Sequence, residues 1–132
     1  MSVALVAIGD EMLRGETREA NGAALASRLQ ERGVALAEVR VVPDVAADIA
    51  RAVVELCSRV DLVVTSGGLG PTDDDGTRRA IARAADVPLY ENAELADGIR
   101  SRYERLGRKW IALNLRQAQI PTGARPLANA YG

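Results

Sequence analysis

Histidine is absent from this sequence, and its absence removes whole classes of chemistry at once. Without an imidazole the chain cannot assemble a Ser-His-Asp triad, a Cys-His dyad or a histidine-ligated zinc site. Its only lysine, Lys109, does not follow a glycine loop, so the G-x-x-x-x-G-K-[ST] phosphate loop is excluded too. The single cysteine, Cys57, sits beside Leu56 in a helical pattern and reads as a packed thiol rather than a reactive one. No apolar run approaches the roughly 20 residues of a membrane-spanning helix, and Met1-Ser2-Val3 leads straight into a strand without the charged opening of a signal sequence. A cytoplasmic protein is expected, with acid–base work left to carboxylates.

What is present suits one core. The 132 residues are 48% hydrophobic, the size and composition of a single globular domain that needs no disulfide. Lysine and arginine total 17 against 18 acids, for a net charge of -1, so bulk charge gives no reason to expect a nucleic-acid partner.

The stretch from Val60 to Thr77, V-D-L-V-V-T-S-G-G-L-G-P-T-D-D-D-G-T, organises the rest. Leu62, Val63 and Val64 form a short apolar run that suits a parallel strand covered on both faces, ended by Thr65 and Ser66. Gly67, Gly68 and Gly70 permit a sharp turn and bring backbone N–H groups close to an anion. Pro71 stiffens the exit. Asp73, Asp74 and Asp75 then precede the helical pattern from Thr77, where they can cap free N–H groups or hold a cation. Three adjacent carboxylates repel one another, which a divalent cation bridging them to a ligand's phosphates explains more easily than capping alone. The plain alternative, a tight strand-to-helix turn with no ligand, stays open.

Around that stretch the chain alternates strand and helix. Val3 to Ile8 is a second apolar run, followed by a loop from Gly9 to Gly15 that places Asp10 at the strand's carboxyl end. Ala24, Leu25 and Leu29 mark a helix from Ala20 to Arg32 that stops at Gly33. Val34 to Val42 reads as a strand ending at Pro43-Asp44, and Asp44 or Asp48 opens a helix whose Val45, Ile49, Val53, Leu56 and Val60 form one apolar stripe. Val87 to Tyr90 is extended, Asn92 caps a helix carrying Leu95, Ile99, Tyr103 and Leu106 before Gly107, and a short helix fits Ile111 to Ala118. Pro121, Gly123 and Pro126 then break the chain. This order indicates a parallel sheet covered on both faces, with the loops at Gly9, Pro43 and Gly67 gathered around one pocket.

Other motifs are weaker. A dinucleotide fingerprint needs glycine or alanine where Asp73 stands. Arg100, Arg102, Arg105, Arg108 and Lys109 have the charge to reach phosphate, but such a run is more often a solvated helix face. Glu11, Glu16 and Glu19 are ambiguous, with Arg14 and Arg18 nearby to offset them.

The segments I-G-D-E-M-L-R-G with Asn21, V-V-P-D at Asp44, S-G-G-L-G-P-T-D-D-D-G-T and N-L-R-Q-A-x-I-P-x-G-A with Asn129 and Gly132 resemble, in order, the molybdopterin-binding domain of molybdenum-cofactor biosynthesis enzymes and CinA proteins. Leu69-Gly70-Pro71-Thr72 favours the CinA branch. The resemblance implies a three-layer α/β/α fold with a mostly parallel sheet over residues 1–132, lacking the family's C-terminal strand region. It carries the functional acids onto Asp44 and Asp75, gives the phosphate to Gly67, Gly68 and Gly70, and aligns Thr77 with the family threonine, while Gly76 stands where a branched aliphatic is usual.

For CinA proteins it further implies hydrolysis of an ADP-ribose-like nucleotide diphosphate. A magnesium, manganese or cobalt ion would sit on Asp73, Asp74 and Asp75, with Asp44 or Asp10 orienting water and Gly67, Gly68, Leu69, Gly70, Thr72, Thr77 and Asn21 holding the ligand. The alternatives are a non-catalytic nucleotide- or molybdopterin-binding module and a molybdenum-cofactor biosynthesis protein. Family members are oligomeric, and Trp110 in its basic surround is the candidate contact.

Overall fold

The computed structural model describes residues 1–73, 75–127 and 129. A parallel sheet in the order β2-β1-β3 is built on β1 (Ser2–Ile8), flanked by β2 (Ala35–Val42) and β3 (Leu62–Ser66). Residues Val3 to Ile8 are buried throughout because both faces of β1 are covered. Leu5 pairs in register with Val39, so Val3, Leu5 and Ala7 share the face on which α2 (Asn21–Gln30) packs. That approach is close: a Cβ on Gly22 would lie 2.9 Å from Val39 Cγ2. On the opposite face Ala4, Val6, Ile8 and Val42 meet Ile49, Val53 and Leu56 of α3 (Ala46–Cys57) and Ala80 of α4 (Thr77–Ala84). The three α/β/α layers expected from the sequence are therefore present.

Several local expectations are corrected. The segment after β1 is not all loop, since Asp10–Leu13 forms a single helical turn, α1, closed by the Arg14 amide on the Asp10 carbonyl at 3.0 Å. Asp10 and Glu11 suit its positive N-terminal end. Neither Asp44 nor Asp48 caps α3, because Val45 holds the capping position and Asp48 lies inside the first turn. In α2 the buried residue is Gly22, whereas Ala24 is exposed. Cys57 is exposed too, one residue past Leu56 and so turned about 100° off the packed stripe. Finally, β3 is not covered like β1: among the described residues it pairs with β1 alone, and Leu62 is 46% exposed.

The second half of the chain forms a smaller unit. α5 (Ala93–Arg105) starts where the Asn92 side chain accepts the Leu95 amide at 3.0 Å, and Gly107 at φ +62° follows its end. Its apolar side receives a 3-10 helix, Ala112–Ala118. β5 (Gln119–Pro121), unannounced by any sequence pattern, pairs antiparallel with β4 (Leu89–Glu91). Pro121 is tolerated at the end of that pairing, and the Thr122 amide carries the connection on to the Pro88 carbonyl at 2.9 Å. Trp110 is occupied within the fold: its ring stands edge-on to Tyr103 at 5.6 Å, with the Arg100 guanidinium 5.4 Å from its centre. No helix among the described residues is long and apolar enough to cross a membrane.

Candidate functional site

Because the three strands are parallel, their carboxyl ends open on one edge, and the loops that leave them are tied together. The Gly9 amide donates to the Val42 carbonyl at 3.1 Å, the Asp44 amide to Asp10 Oδ1 at 3.2 Å, and the Gly76 amide to Asp44 Oδ1 at 3.3 Å. Asp44 thus serves the start of α4 rather than that of α3, placing a carboxylate at the positive end of a helix from another loop. Asp10 and Asp44 are neighbours, as expected.

β3 leaves the sheet through Gly67 at φ +102° and Gly68 at φ +61°. A Cβ on Gly67 would strike the Ile8 carbonyl oxygen, and one on Gly68 would strike the Thr77 hydroxyl and come within 3.1 Å of Asp44 Oδ1. Thr77, 2% exposed, holds the turn by donating its hydroxyl to the Gly67 carbonyl at 2.8 Å and its amide to the Gly68 carbonyl at 3.2 Å. With those carbonyls drawn toward α4, the amides of Gly68 and Leu69 engage no partner among the described residues. On the other side, Asn21 Nδ2 donates to Ser66 Oγ at 2.7 Å. A cavity of about 270 Å³ opens there, lined by Ile8, Glu11, Met12, Asn21, Ser66 and Gly67. It lies between β1 and β3, where the strand order reverses direction, the usual ligand crevice of such sheets. Larger grooves of about 500 and 610 Å³ run along the α3–α4 flank, away from the strand ends, the first carrying Arg51, Glu55 and Arg83 and the second mostly apolar.

The acidic stretch is arranged differently. Asp75 Oδ2 accepts the Thr72 amide at 2.9 Å and the Thr72 hydroxyl at 2.5 Å. Burial pushes its carboxyl up, but the Thr72 hydroxyl, the Gly70 and Thr72 amides and the Arg78 charge together outweigh it and hold the carboxyl below its ordinary range. Arg78 in turn donates to the Leu69 carbonyl at 2.5 Å and the Gly70 carbonyl at 2.6 Å. The Asp73 carbonyl accepts from Arg79 at 2.7 Å, and its carboxylate from Arg116 at 2.5 Å. Asp74 lies outside the described residues. Among those described, no three carboxylates or thiolates converge on a point a metal ion could occupy, and the expected Asp73–Asp74–Asp75 set falls partly outside the described residues.

The geometry therefore separates the expected residues into two groups. Asp10, Asp44, Gly67, Gly68, Leu69, Thr77 and Asn21 border the strand ends, whereas Gly70, Thr72, Asp73 and Asp75 form a braced turn beside them. The braces Arg78, Arg79 and Arg116 were not read as site residues. Arg78 and Arg79 directly follow Thr77, and Arg116 lies within the N-L-R-Q segment, so position was the available signal.

Residues 4–131 match the model of the family described as "Probable molybdopterin binding domain". The chain belongs to this family. Within this molybdopterin-binding family it falls in the CinA branch. It is 42% identical over 132 residues to a CinA-like protein of Myxococcus xanthus, covering 100% of this chain and 31% of that protein. The crystal structure of the protein CinA from Thermoplasma acidophilum superposes with a TM-score of 0.91 at 30% identity, over 100% of this chain and 77% of that one. A molybdopterin biosynthesis protein from Mycobacterium abscessus gives 0.56 at 29% identity, over 80% of this chain and 65% of that one. The chain spans about a third of the length of the first curated relatives it matches.

Proposed function

We propose that this molybdopterin-binding-family domain holds a phosphorylated small molecule, a molybdopterin-type pterin or a nucleotide diphosphate, across the ends of β1 and β3. The observation that carries the reading is the Gly67-Gly68-Leu69 turn, whose positive-φ glycines leave two successive amides without an acceptor among the described residues. Consecutive outward amides form an anion-binding concavity, here beside the positive end of α4. The adjoining cavity, bordered by Asn21 and Ser66, gives the rest of the ligand a place. Asp44 is the acceptor for a pterin N–H or ribose hydroxyl approaching the turn. Calorimetry with a pterin phosphate, ADP-ribose and AMP tests this: saturable heat is expected from the parent and its loss from Gly68→Ala, and no heat with any of them would contradict it.

The neighbouring Asp10 and Asp44 favour a second reading, hydrolysis of an ADP-ribose-like diphosphate with Asp44 orienting the attacking water. Release of AMP with magnesium, manganese or cobalt present would support turnover. Product absent with every cation would leave binding alone. Self-association is a further part of the proposal, resting on β3 having β1 as its one strand neighbour among the described residues. A constant mass near 14.0 kDa across a dilution series would reject it.

A further inference from the structure

The bracing arginines line a second, smaller cleft. It is bounded by Thr72, Asp75, Arg78, Arg79, Arg116 and Gln119, where α4 faces the segment running from the 3-10 helix into β5, and measures about 110 Å³. That is well below the roughly 300 Å³ at which pockets for whole small molecules begin, and suits one oxyanion with its waters. Among the described residues three guanidiniums face one lining carboxylate, Asp75, and the Asp73 carboxylate on Arg116 brings the local excess to one positive charge until Arg116 lets it go. The Asp75 carboxylate is already engaged by Thr72 and by the Gly70 amide. Among the described residues each arginine spends only part of its five-donor fork: two nitrogens for Arg78, one each for Arg79 and Arg116.

Arg116 differs from the other two. Arg78 and Arg79 hold backbone carbonyls, whereas Arg116 holds the Asp73 carboxylate, and that pair is open to water, with 42% of the Arg116 side chain and 83% of the Asp73 side chain exposed. Exposed pairs of this kind are weak and readily exchanged. We propose that the cleft is an anion subsite for a phosphate dianion, and that Arg116 releases Asp73 to take it. Asp73 is then an internal competitor that occupies the guanidinium until phosphate arrives. Nothing in this requires the glycine turn to be filled, so the subsite stands or falls apart from the ligand reading above.

The test titrates inorganic phosphate into the full chain at matched ionic strength, following the Arg116 Nε–H and Gln119 side-chain resonances by NMR. The Gly68 and Leu69 amides serve as separate reporters of the strand-end turn. Removing the competitor in Asp73→Asn should tighten phosphate at Arg116 by about threefold to fivefold. Arg116→Gln should weaken it by about tenfold or more, read at Gln119, and the double variant should behave like Arg116→Gln. Both side chains are exposed, so thermal midpoints should stay with the parent; if Arg116→Gln is destabilised, Asp73→Asn alone decides by the direction of its change. Equal phosphate response in the parent and Asp73→Asn would overturn the proposal, as would an equal response to chloride. Shifts confined to Gly68 and Leu69 would overturn it while leaving the strand-end reading intact.

Discussion

β1 and β3 look alike as sequence and behave differently as structure. Both are short apolar runs bounded by turn residues, yet Leu5 of β1 is 1% exposed and Leu62 of β3 is 46% exposed. β1 has a strand on each side and helices on each face, whereas β3 pairs on one side among the described residues. Hydrophobicity thus marks a strand without revealing how many neighbours it has. It is β3, the less anchored of the two, that leads into the glycine turn, and the turn relies on Thr77, Asp75 and Arg78 for what the sheet does not supply.

The largest expected effect sharpens that contrast. Leu5→Ala should cost about 3 kcal/mol in urea unfolding, through lost burial and a residual cavity, and Leu62→Ala less than about 1 kcal/mol. Similar costs would mean that β3 is as enclosed as β1. Next comes the turn. Gly67→Ala combines positive φ with a collision against the Ile8 carbonyl and should cost about 2 kcal/mol or more, whereas Gly33→Ala, at φ +67° with nothing within 4 Å, should cost about 1 kcal/mol. The difference measures how tightly β3's exit is pressed onto β1.

A smaller effect is expected at Asp75. Asp75 is expected from the sequence to be a metal ligand, yet its bonds to Thr72 and Gly70 also brace the turn, so Asp75→Asn should cost about 1 kcal/mol at neutral pH. The folded carboxyl lies below its unfolded value, so its contribution is complete above the unfolded value and fades as pH falls through the folded one. Parent and variant should therefore converge in stability in strong acid, and a gap that persists there would dissociate the cost from the charge. The smallest effect belongs to the pair of the half-buried Arg40 of β2 and the exposed Glu55, at 2.8 Å, where Glu55→Gln should leave the unfolding midpoint nearly unchanged at moderate salt.

These residues also show what a sequence can carry. A continuous apolar run marked β1 and β-branched content ending at Pro43 marked β2, helical spacing placed α2, α3 and α5, and the Asn92 cap was legible because its partner, the Leu95 amide, lies three residues away. The gathering of Asp10, Asp44 and the glycine turn followed from parallel strands sharing an edge. Asp44 as a cap for α4 was not legible, since its partner Gly76 is 32 residues distant and the local pattern pointed to α3. β5 escaped because three residues ending in proline carry no periodic signal. The Thr72–Asp75 lock is local, yet a carboxylate before a helix has several uses and composition does not choose among them.

The central claim is that the Gly68 and Leu69 amides receive the ligand's phosphate, and a backbone NMR titration with ADP-ribose and with a pterin phosphate reads it directly. The expected result is saturating shifts that are largest at Gly68 and Leu69, spread to Asp44 and Asn21, follow the calorimetric isotherm and vanish in Gly68→Ala. A ligand that binds with equal affinity while those two amides stay unmoved, its shifts falling instead on the arginines of α5, would contradict the account.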